Sequence, residues 1–420
     1  MPMRGTASTY FIDTAIVVGA LLALGSAAAT AKEKTLYDFP GGSNGMAPYG
    51  ALTADGSGNL YGTTSGGGGG SCEGGCGVVF KLTPDKQETV VYAFAGGTDG
   101  AEPQTGLIAD DTGTFYGTTD FGGDTSCQSG VGCGTVFKLT PDGKESVLYA
   151  FQGGNDGITP VGDLVADESG NLYGETAYGG SYSGSNCDIS GCGTVFEVLP
   201  DGTKLTLYEF QAGSDGASPG GGVIRDGAGN IYGTTGGGGG SGCGGSGCGT
   251  VFKLAPDGTE SVLYAFQGGA DGAGPIGIIR DTGSNFYGAT AGGGNCPSHQ
   301  NDCGTIYTLA PDGTKTLLYD FQGGNDGWLP WNALIMDKEG NLYGTTWFGG
   351  EAGCYRKYHT GCGTVFKLAT DGKEAVLYTF RHLSGVNPYA SLFLGTRGEL
   401  YGTTTAGGKN NDGVVFKLKK

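Results

Sequence analysis

The sequence predicts an all-β chain folded as a seven-bladed β-propeller of four-stranded antiparallel blades, and three observations support this. A segment close to G-N-L-Y-G-T-T recurs every 55 to 59 residues, a period that indicates stacked or circularly arranged units. Each unit contains four short β-type runs separated by turn residues. The two ends of the chain each carry part of a repeat unit, and the two parts together make one complete unit. The tyrosine of the recurring segment stands at Tyr61, Tyr116, Tyr173, Tyr232, Tyr287, Tyr343 and Tyr401.

The third unit illustrates the four runs, which we name A to D in chain order. Run A spans 161–167, run B 171–176, run C 194–199 and run D 204–210. A D-x-x-G-N turn joins A to B, and a P-D-G turn joins C to D. In such turns Asp bonds to nearby backbone and Gly supplies a positive φ. We therefore expect two tight hairpins at one face of each blade and the long B–C and D–A connections at the other.

The chain ends predict how the ring closes. Residues 32–39 form a D run with no A, B or C run before it, and residues 414–418 form a C run with no D run after it. An N-terminal strand that completes the last blade leaves no sheet edge open at the junction. A linear solenoid is instead expected to carry atypical capping units. We thus predict one closed propeller domain over residues 32–420.

The composition agrees with a sheet protein. The 91 glycines follow no three-residue period, and the 22 tyrosines and 19 phenylalanines recur at fixed places, unlike the residues of a disordered chain. The glycine after each B-run tyrosine, such as Gly62, is expected to let an aromatic ring of the adjacent blade approach closely.

Residues 1–31 have the features of a secretory signal peptide. Arg4 supplies a positive start, and residues 15–24 are apolar but too few to span a bilayer comfortably. Ala29 and Ala31 fit a small-x-small cleavage site, so the mature chain is expected to begin at Lys32. It is then secreted, either periplasmic or extracellular, with no membrane span. A retained N-terminal anchor is the alternative.

The 12 cysteines fall into six local pairs, each between a B run and the following C run. The spacing within a pair varies from four to eight residues, C-x-x-C never occurs, and none of the three histidines recurs with the repeat. Short disulfides in an oxidising compartment are therefore favoured over zinc sites. Each bridge is expected to stiffen its own loop. The pairs are Cys72 with Cys76, Cys127 with Cys133, Cys187 with Cys192, Cys243 with Cys248, Cys296 with Cys303, and Cys354 with Cys362.

Three motifs, G-N-L-Y-G-T-T, G-C-G-T-V-F-K-L and L-Y-A-F-x-G-G-x-D-G, resemble the GloVer repeat of bacterial exported proteins over essentially all of residues 32–420. The resemblance implies an extracellular or surface protein of undetermined biochemical role, and it supplies no catalytic residues. Some members carry a C-terminal anchor or sorting segment; this sequence lacks one, which argues for release. The D-x-x-G-N-L-Y-G-T portion is also similar to the propeller repeat of sensory two-component regulators, a likeness that bears on the fold alone.

The face that carries the long connections, which we name the loop face, is where we expect binding. Aromatic residues are concentrated there in the sixth unit, and exposed flat rings beside polar groups suit a sugar or a peptide anchor. A loop that folds on itself and buries these rings is an equal alternative. The candidate ligand-binding residues are Trp328, Trp331, Trp347, Tyr355, Arg356 and Tyr358.

One acidic residue per unit precedes a glycine in five of the D–A connections. Carboxylate oxygens suit calcium, which makes these residues weak calcium candidates. Each unit offers a single such residue, however, and turn-initiating Asp is the favoured interpretation. No other cofactor is indicated. The five residues are Asp99, Asp156, Asp215, Asp271 and Asp326.

The formal net charge of −18, from 41 acidic and 23 basic residues, disfavours nucleic-acid partners. No G-x-S-x-G, H-E-x-x-H or P-loop motif is present. We predict an exported, monomeric, non-catalytic protein that binds a glycan or a protein partner through its loop face. The alternatives are a secreted carbohydrate-active lyase or hydrolase with its site at the channel mouth, and a structural cell-envelope protein. Inward carboxyl groups with shifted pKa values favour the enzyme, and an exposed aromatic patch without them favours binding.

Overall fold

The computed structural model describes residues 32–180, 187, 191–296, 302–350, 352–355 and 360–419. Residues 1–31, where the sequence predicts a signal peptide, lie outside this range. The described residues form seven antiparallel sheets arranged as the blades of a seven-bladed β-propeller, and one separate two-stranded sheet, which confirms the predicted fold class. Within these ranges, no helix is long and apolar enough to cross a membrane.

The strands are numbered β1 to β31 along the chain. The strand that precedes the first blade and the strands of blades 1 to 3 are β1 (Lys32–Asp38), β2 (Thr53–Ala54), β3 (Leu60–Thr64), β4 (Val78–Leu82), β5 (Glu88–Ala93), β6 (Ile108–Ala109), β7 (Phe115–Thr119), β8 (Thr135–Leu139), β9 (Glu145–Ala150), β10 (Ile158–Ala166), β11 (Leu172–Tyr178), β12 (Thr194–Val198) and β13 (Lys204–Glu209). Blades 4 and 5 contain β14 (Ala217–Pro219), β15 (Ile224–Arg225), β16 (Ile231–Gly237), β17 (Thr250–Leu254), β18 (Glu260–Ala265), β19 (Ala273–Arg280), β20 (Phe286–Gly292), β21 (Thr305–Leu309) and β22 (Lys315–Asp320). Blades 6 and 7 contain β23 (Ile335–Met336), β24 (Leu342–Thr346), β25 (Ala352–Tyr355), β26 (Thr360–Gly361), β27 (Thr364–Leu368), β28 (Glu374–Thr379), β29 (Phe393–Leu394), β30 (Leu400–Thr404) and β31 (Val414–Lys419).

Short 3-10 turns lie on the long connections. Six follow a D strand, at Gly42–Asn44, Gly97–Asp99, Gly154–Asp156, Gly269–Asp271, Gly324–Asp326 and His382–Ser384. Two lie in the cysteine loops, at Gln128–Gly130 and Cys243–Gly245.

The ring closes as the sequence predicts. In blade 7 the strand order is β29-β30-β31-β1, so the first strand of the chain is the outermost strand of the last blade. The register places Lys34 opposite Lys417 and Lys32 opposite Lys419. Like charges directly opposite each other in an antiparallel pair are unfavourable, and these two lysine pairs stand at the seam of an acidic protein.

The A–B turns form because each Asp satisfies several donors at once. Asp55 Oδ1 accepts the backbone N–H groups of Ser57 and Asn59, both at 2.9 Å. Its Oδ2 accepts the Asn59 side-chain amide at 2.6 Å and the Tyr61 hydroxyl at 3.2 Å. The D-x-x-G-N-L-Y segment therefore folds as a local unit, with the tyrosine tied to the start of its own turn.

The same kind of aromatic contact recurs between each blade and the next. Phe94, which follows the D strand of blade 1, packs edge-to-face on Phe137 in the C strand of blade 2, with ring centroids 5.1 Å apart. Such pairs stabilise the interface beyond the area they bury. The equivalent contacts are Phe39–Phe80, Phe151–Phe196, Phe210–Phe252, Phe266–Tyr307, Phe321–Phe366 and Phe380–Phe416.

The glycine after the B-strand tyrosine has a different partner from the one predicted. A methyl group at Gly62 would lie 2.8 Å from Phe80 Cζ, and Phe80 lies directly opposite in the neighbouring strand of the same blade. The sequence-based expectation of a ring from the adjacent blade was therefore wrong. The glycine makes room within its own sheet, where the phenylalanine ring occupies the space that a side chain would need.

All six predicted disulfides are present, and the described chain has no free cysteine. The pairing is the one that the sequence predicts, and each bridge closes a loop between the B and C strands of its own blade. The bridges are Cys72 to Cys76, Cys127 to Cys133, Cys187 to Cys192, Cys243 to Cys248, Cys296 to Cys303, and Cys354 to Cys362.

The cysteine loops do more than the sequence predicts, because they also contact the following blade. The Cys76 carbonyl accepts the backbone N–H of Glu102 in blade 2 at 2.8 Å. At the interface of blades 7 and 1, Asp412 takes the place of the cysteine and accepts the N–H of Ala47. The second cysteine of each bridge thus helps to position the chain that enters the next blade. The other carbonyls that accept an equivalent bond are those of Cys133, Cys192, Cys248, Cys303 and Cys362.

Candidate functional site

Each blade places one residue at the mouth of the central channel from the same position. A proline lies at the start of the A segment in every blade, and the residue before that proline has a φ between 52° and 61° in all seven. This left-handed geometry turns the chain toward the axis as the segment begins. The seven residues that directly follow the prolines line one cavity; they are Tyr49, Gln104, Val161, Gly220, Ile276, Trp331 and Tyr389.

The cavity has a volume of about 400 Å³ and opens on the loop face, where the B strands end and the A segments begin. Its walls differ in the size of their side chains. Blades 6, 7 and 1 contribute three aromatic rings, whereas blade 4 contributes Gly220 and Gly221, which have no side chains and so leave room for a ligand on that side. This cavity is of the size in which a small ligand is largely enclosed.

The aromatic wall is held in place by ring contacts and by one hydrogen bond. Trp331 Nε1 donates to the Tyr389 hydroxyl at 2.8 Å. Tyr389 packs edge-to-face on Tyr49 of blade 1, with centroids 4.9 Å apart. Trp331 also contacts Trp347 at 5.6 Å, and Trp347 stacks on Phe348 at 4.9 Å. These contacts fix the ring orientations, so the wall is rigid before any ligand arrives.

Behind this wall lies a buried amide. Asn332 is 6 % exposed, and its Nδ2 donates to Thr345 Oγ1 at 2.6 Å and to the Tyr389 carbonyl at 3.1 Å. Its Oδ1 is buried and accepts no hydrogen bond. A buried acceptor left without a donor costs stability.

The opposite wall is acidic. Asp120 directly follows the B strand of blade 2, and no described residue hydrogen-bonds to its carboxyl group. Burial, reinforced by the charge of Glu102, raises the pKa of Asp120 to about 8. Burial also raises the pKa of Glu102. Two carboxyl groups with no cation between them favour the protonated form of one of them.

Asp163 of blade 3 lies further down the same wall. Its Oδ1 accepts the backbone N–H of Gly106 in blade 2 at 2.6 Å. The side chain of Asp163 is exposed to the channel, but the surrounding blades partly exclude water from it. This desolvation raises the pKa of Asp163. The described residues that line the cavity include no lysine, arginine or histidine.

A further carboxyl group is buried between blades 3 and 4. Glu175 is fully buried, and its Oε2 accepts the backbone N–H of Gly222 at 3.1 Å, while its Oε1 has no partner. Burial raises the pKa of Glu175 to about 8. In five other blades a threonine stands at this place, and Thr63, for example, donates to the Thr105 carbonyl of the next blade at 2.8 Å. Glu175 fills the space beneath the glycines of blade 4 rather than facing the cavity.

The sequence-predicted aromatic candidates fall into three groups. Trp331 lines the cavity, and Trp347 supports it from behind. Trp328 stacks on Phe348 at 4.8 Å, away from the cavity. The backbone of Tyr355 belongs to β25, but its side chain lies outside the described residues, as do Arg356 and Tyr358.

The acidic residues of the D–A connections are turn-forming groups. In each of the five, one carboxylate oxygen accepts a tyrosine hydroxyl from the preceding strand and an oxygen also accepts a backbone N–H four residues earlier. In Asp99 these donors are Tyr92 at 2.6 Å and Ala95 at 2.7 Å. Among the residues described, no group of three or more His, Cys, Asp or Glu could hold a metal ion. Calcium binding by Asp99, Asp156, Asp215, Asp271 and Asp326 stays a prediction.

Most of the cavity escaped the sequence analysis. Asp120, Asp163, Tyr49 and Tyr389 were not among the candidates. A signal was nevertheless present, because the residue after the proline varies from glycine to tryptophan within repeats that are otherwise nearly uniform. A position that varies inside a uniform repeat is free of the packing that fixes its neighbours.

The family described as Gloeobacter/Verrucomicrobia repeat matches the chain over residues 18–187, 125–296 and 241–420. No curated protein matches it. A streptogramin B lyase is a similar solved structure, with a TM-score of 0.60, 13 % identity, and 93 % of this chain and 98 % of that one covered. Virginiamycin B lyase from Staphylococcus aureus gives a TM-score of 0.58 at 14 % identity, with 93 % and 99 % covered. The extracellular domain of a B. thetaiotaomicron protein described as a putative hybrid two component system gives a TM-score of 0.54 at 13 % identity, with 93 % of this chain and 41 % of that one covered. At these identities the likeness shows the fold alone.

Proposed function

The chain belongs to the Gloeobacter/Verrucomicrobia repeat family, and on that premise we propose that it is an exported binding propeller that takes a glycan at the loop-face mouth of its central channel. The observation that carries the proposal is the cavity of about 400 Å³ with a rigid aromatic wall on one side and carboxyl groups on the other. Sugar rings present an apolar face that stacks on aromatic side chains and hydroxyl groups that need polar partners.

The arrangement of the aromatic wall supports binding. Tyr49, Trp331 and Tyr389 come from three successive blades and are already in contact with one another. Because their orientations are fixed by these contacts, little side-chain entropy is lost when a ligand stacks on them. Asp120, on the opposite wall, supplies a carboxyl group that can bind a hydroxyl group of the ligand.

The disulfides support export. Six bridges close loops on the face that carries the cavity, and such bridges persist in oxidising compartments outside the cytosol. The predicted signal peptide over residues 1–31 agrees with this. We propose that the mature protein acts as a monomer, since one ring contributes every wall of the cavity.

A glycan array tests the proposal. The chain is produced with its disulfides formed and applied as wild type, as Trp331→Ala, and as Tyr178→Ala. Tyr178 is a 37 % exposed aromatic residue that does not line the cavity, so its variant is a matched control. We expect specific binding by the wild type and the control, and a loss of at least tenfold in affinity for Trp331→Ala, about 1.4 kcal/mol. Absence of binding by the folded wild type, or full binding by Trp331→Ala, contradicts the proposal.

A secreted carbohydrate-active enzyme is the second candidate, and the raised pKa of Asp120 favours it. A carboxyl group held protonated near neutral pH is suited to general acid catalysis, and Asp163 lies in the same cavity. Assays for glycan hydrolysis and elimination with the wild type, Asp120→Asn and Asp163→Asn separate the two candidates. Turnover that both variants abolish supports the enzyme, and binding without turnover supports the binding protein.

A further inference from the structure

The charge balance of the cavity differs from that of the turns around it. Carboxylates in the turns have donors or cations: Asp156 pairs with Lys204 at 3.0 Å, and Asp55 accepts four hydrogen bonds. Inside the cavity Asp120 accepts none, and Asp163 uses one oxygen for Gly106. The carboxyl groups at the mouth therefore accept fewer hydrogen bonds than the carboxylates in the turns.

The neighbours of Asp120 are acidic or neutral on every side. Its backbone N–H donates to the Glu102 carbonyl at 3.2 Å, so the two side chains lie on adjacent segments of blade 2. The Tyr389 hydroxyl of blade 7 lies close enough that the charge of Asp120 helps to raise its pKa, after burial as the larger cause. Asp163 lines the same cavity, and none of the described lining residues is basic.

A neutral ligand supplies no positive charge to the carboxyl groups of the cavity. Hydroxyl groups can donate to a carboxyl group but do little to favour its ionised form, whereas an ammonium group donates to it and also stabilises its negative charge. An anionic sugar is disfavoured, because any of the carboxyl groups of Asp120, Asp163 and Glu102 that is ionised repels it. The aromatic wall adds to the same preference, because the faces of Trp331 and Tyr389 attract cations as well as the apolar face of a sugar ring.

We propose that the glycan bound in this cavity carries a free amino group, as in a glucosamine-type sugar, with its ring against Trp331 and Tyr389 and its ammonium group between Asp120 and Asp163. This inference rests on the proposed function and narrows it. An N-acetylated sugar of the same shape lacks the charge and binds more weakly. The acidic wall sets the preference for the amino sugar, and the aromatic wall contributes to the affinity for both sugars.

The protonation state of Asp120 gives the inference a second readout. Burial and the charge of Glu102 raise the pKa of Asp120 to about 8, so this carboxyl group is protonated at pH 6 before a ligand binds. An ammonium group beside it favours the ionised form and lowers the pKa. Binding therefore releases about one proton from Asp120 to the buffer, and the heat of binding then depends on the ionisation enthalpy of that buffer.

Calorimetry with a matched pair of ligands tests the inference at pH 6, where the amine is charged. The probes are the tetramer of glucosamine and the tetramer of N-acetylglucosamine, titrated into the wild type, Asp120→Asn, Asp163→Asn and Asp124→Asn. Asp124 lies on the same loop as Asp120, is partly exposed, and accepts the backbone N–H of Ser126 at 2.8 Å, so its variant removes a carboxyl group outside the cavity.

We expect the wild type and Asp124→Asn to bind the glucosamine tetramer at least tenfold more tightly than the acetylated one, with release of about one proton. Asp120→Asn loses the preference and the proton release, and Asp163→Asn loses part of the preference. Equal or tighter binding of the acetylated tetramer by the wild type overturns the inference and leaves the proposed function standing. Binding of neither tetramer by the folded wild type, or an unchanged preference in both cavity variants, also overturns it.

Discussion

Glu175 makes the stability of this protein depend on pH in a way that one substitution should remove. The side chain is fully buried between blades 3 and 4, one of its oxygens has no partner, and Gly222 donates to the other. We predict that Glu175→Gln stabilises the protein at neutral and alkaline pH and not at acidic pH. The amide keeps the bond from Gly222 and cannot ionise.

The magnitude follows from the pKa. Burial raises the pKa of Glu175 from 4.5 to about 8, against the smaller opposing effect of the Gly222 N–H. Between these values the unfolded chain loses the proton and the folded chain keeps it. The free energy of unfolding therefore falls by about 1.4 kcal/mol per pH unit as the pH rises, and the protein loses about 3 kcal/mol by pH 7 and about 4 kcal/mol by pH 8. This stability is fully present only below pH 4.5.

Denaturant unfolding of the oxidised protein from pH 4.5 to pH 8 measures the effect. The wild type and Glu175→Gln should agree within about 1 kcal/mol at pH 4.5, and the variant should then gain about 1.4 kcal/mol per pH unit over the wild type. Other buried carboxyl groups contribute equally to both proteins and cancel in the difference. Glu73→Gln, at an exposed position, serves as the control and should follow the wild type. A difference that stays constant across this range refutes the reasoning.

Four further predictions concern the ring and its loops. Phe137→Ala removes an inter-blade ring contact and should cost about 3 to 5 kcal/mol in denaturant unfolding, whereas Leu205→Ala, at a 45 % exposed position, should cost far less. Lys34→Thr removes a like charge opposite Lys417 and, because Lys417 also pairs with Glu399 at 2.9 Å, should raise the free energy of unfolding by only about 0.2 kcal/mol at low salt, with a smaller gain at high salt. Replacing Cys243 and Cys248 together by serine should cost about 2 kcal/mol in the same assay, and no loss would contradict a stabilising role for the bridge. Because the five aspartates of the D–A connections already accept tyrosine and backbone donors, EDTA and added calcium should leave the Tm unchanged, and a rise with calcium would instead support the calcium prediction.

The sequence was sufficient for the features that repeat. The four strands of each blade, their two tight turns and the closure by residues 32–38 all follow from patterns that lie within about 60 residues or at the chain ends. The disulfides follow for the same reason, since the members of each pair, from Cys72 and Cys76 to Cys354 and Cys362, are separated by four to eight residues. Local chemistry fixes these features: an Asp that caps its own turn, as at Asp55, does so in any sheet that supplies the following strand.

The cavity was decided by the tertiary structure. Tyr49, Asp120, Asp163, Trp331 and Tyr389 come from five blades, and no pattern in the sequence brings them together. They meet because the closed ring brings the inner segments of its blades around one cavity. Trp331 was identified because aromatic residues are concentrated in the sixth unit, but its partners in the cavity were not. In the sequence, a single Asp or Tyr in a repeat cannot be distinguished from a turn or core residue. The same applies to Glu175, whose burial depends on the glycines of the blade beside it.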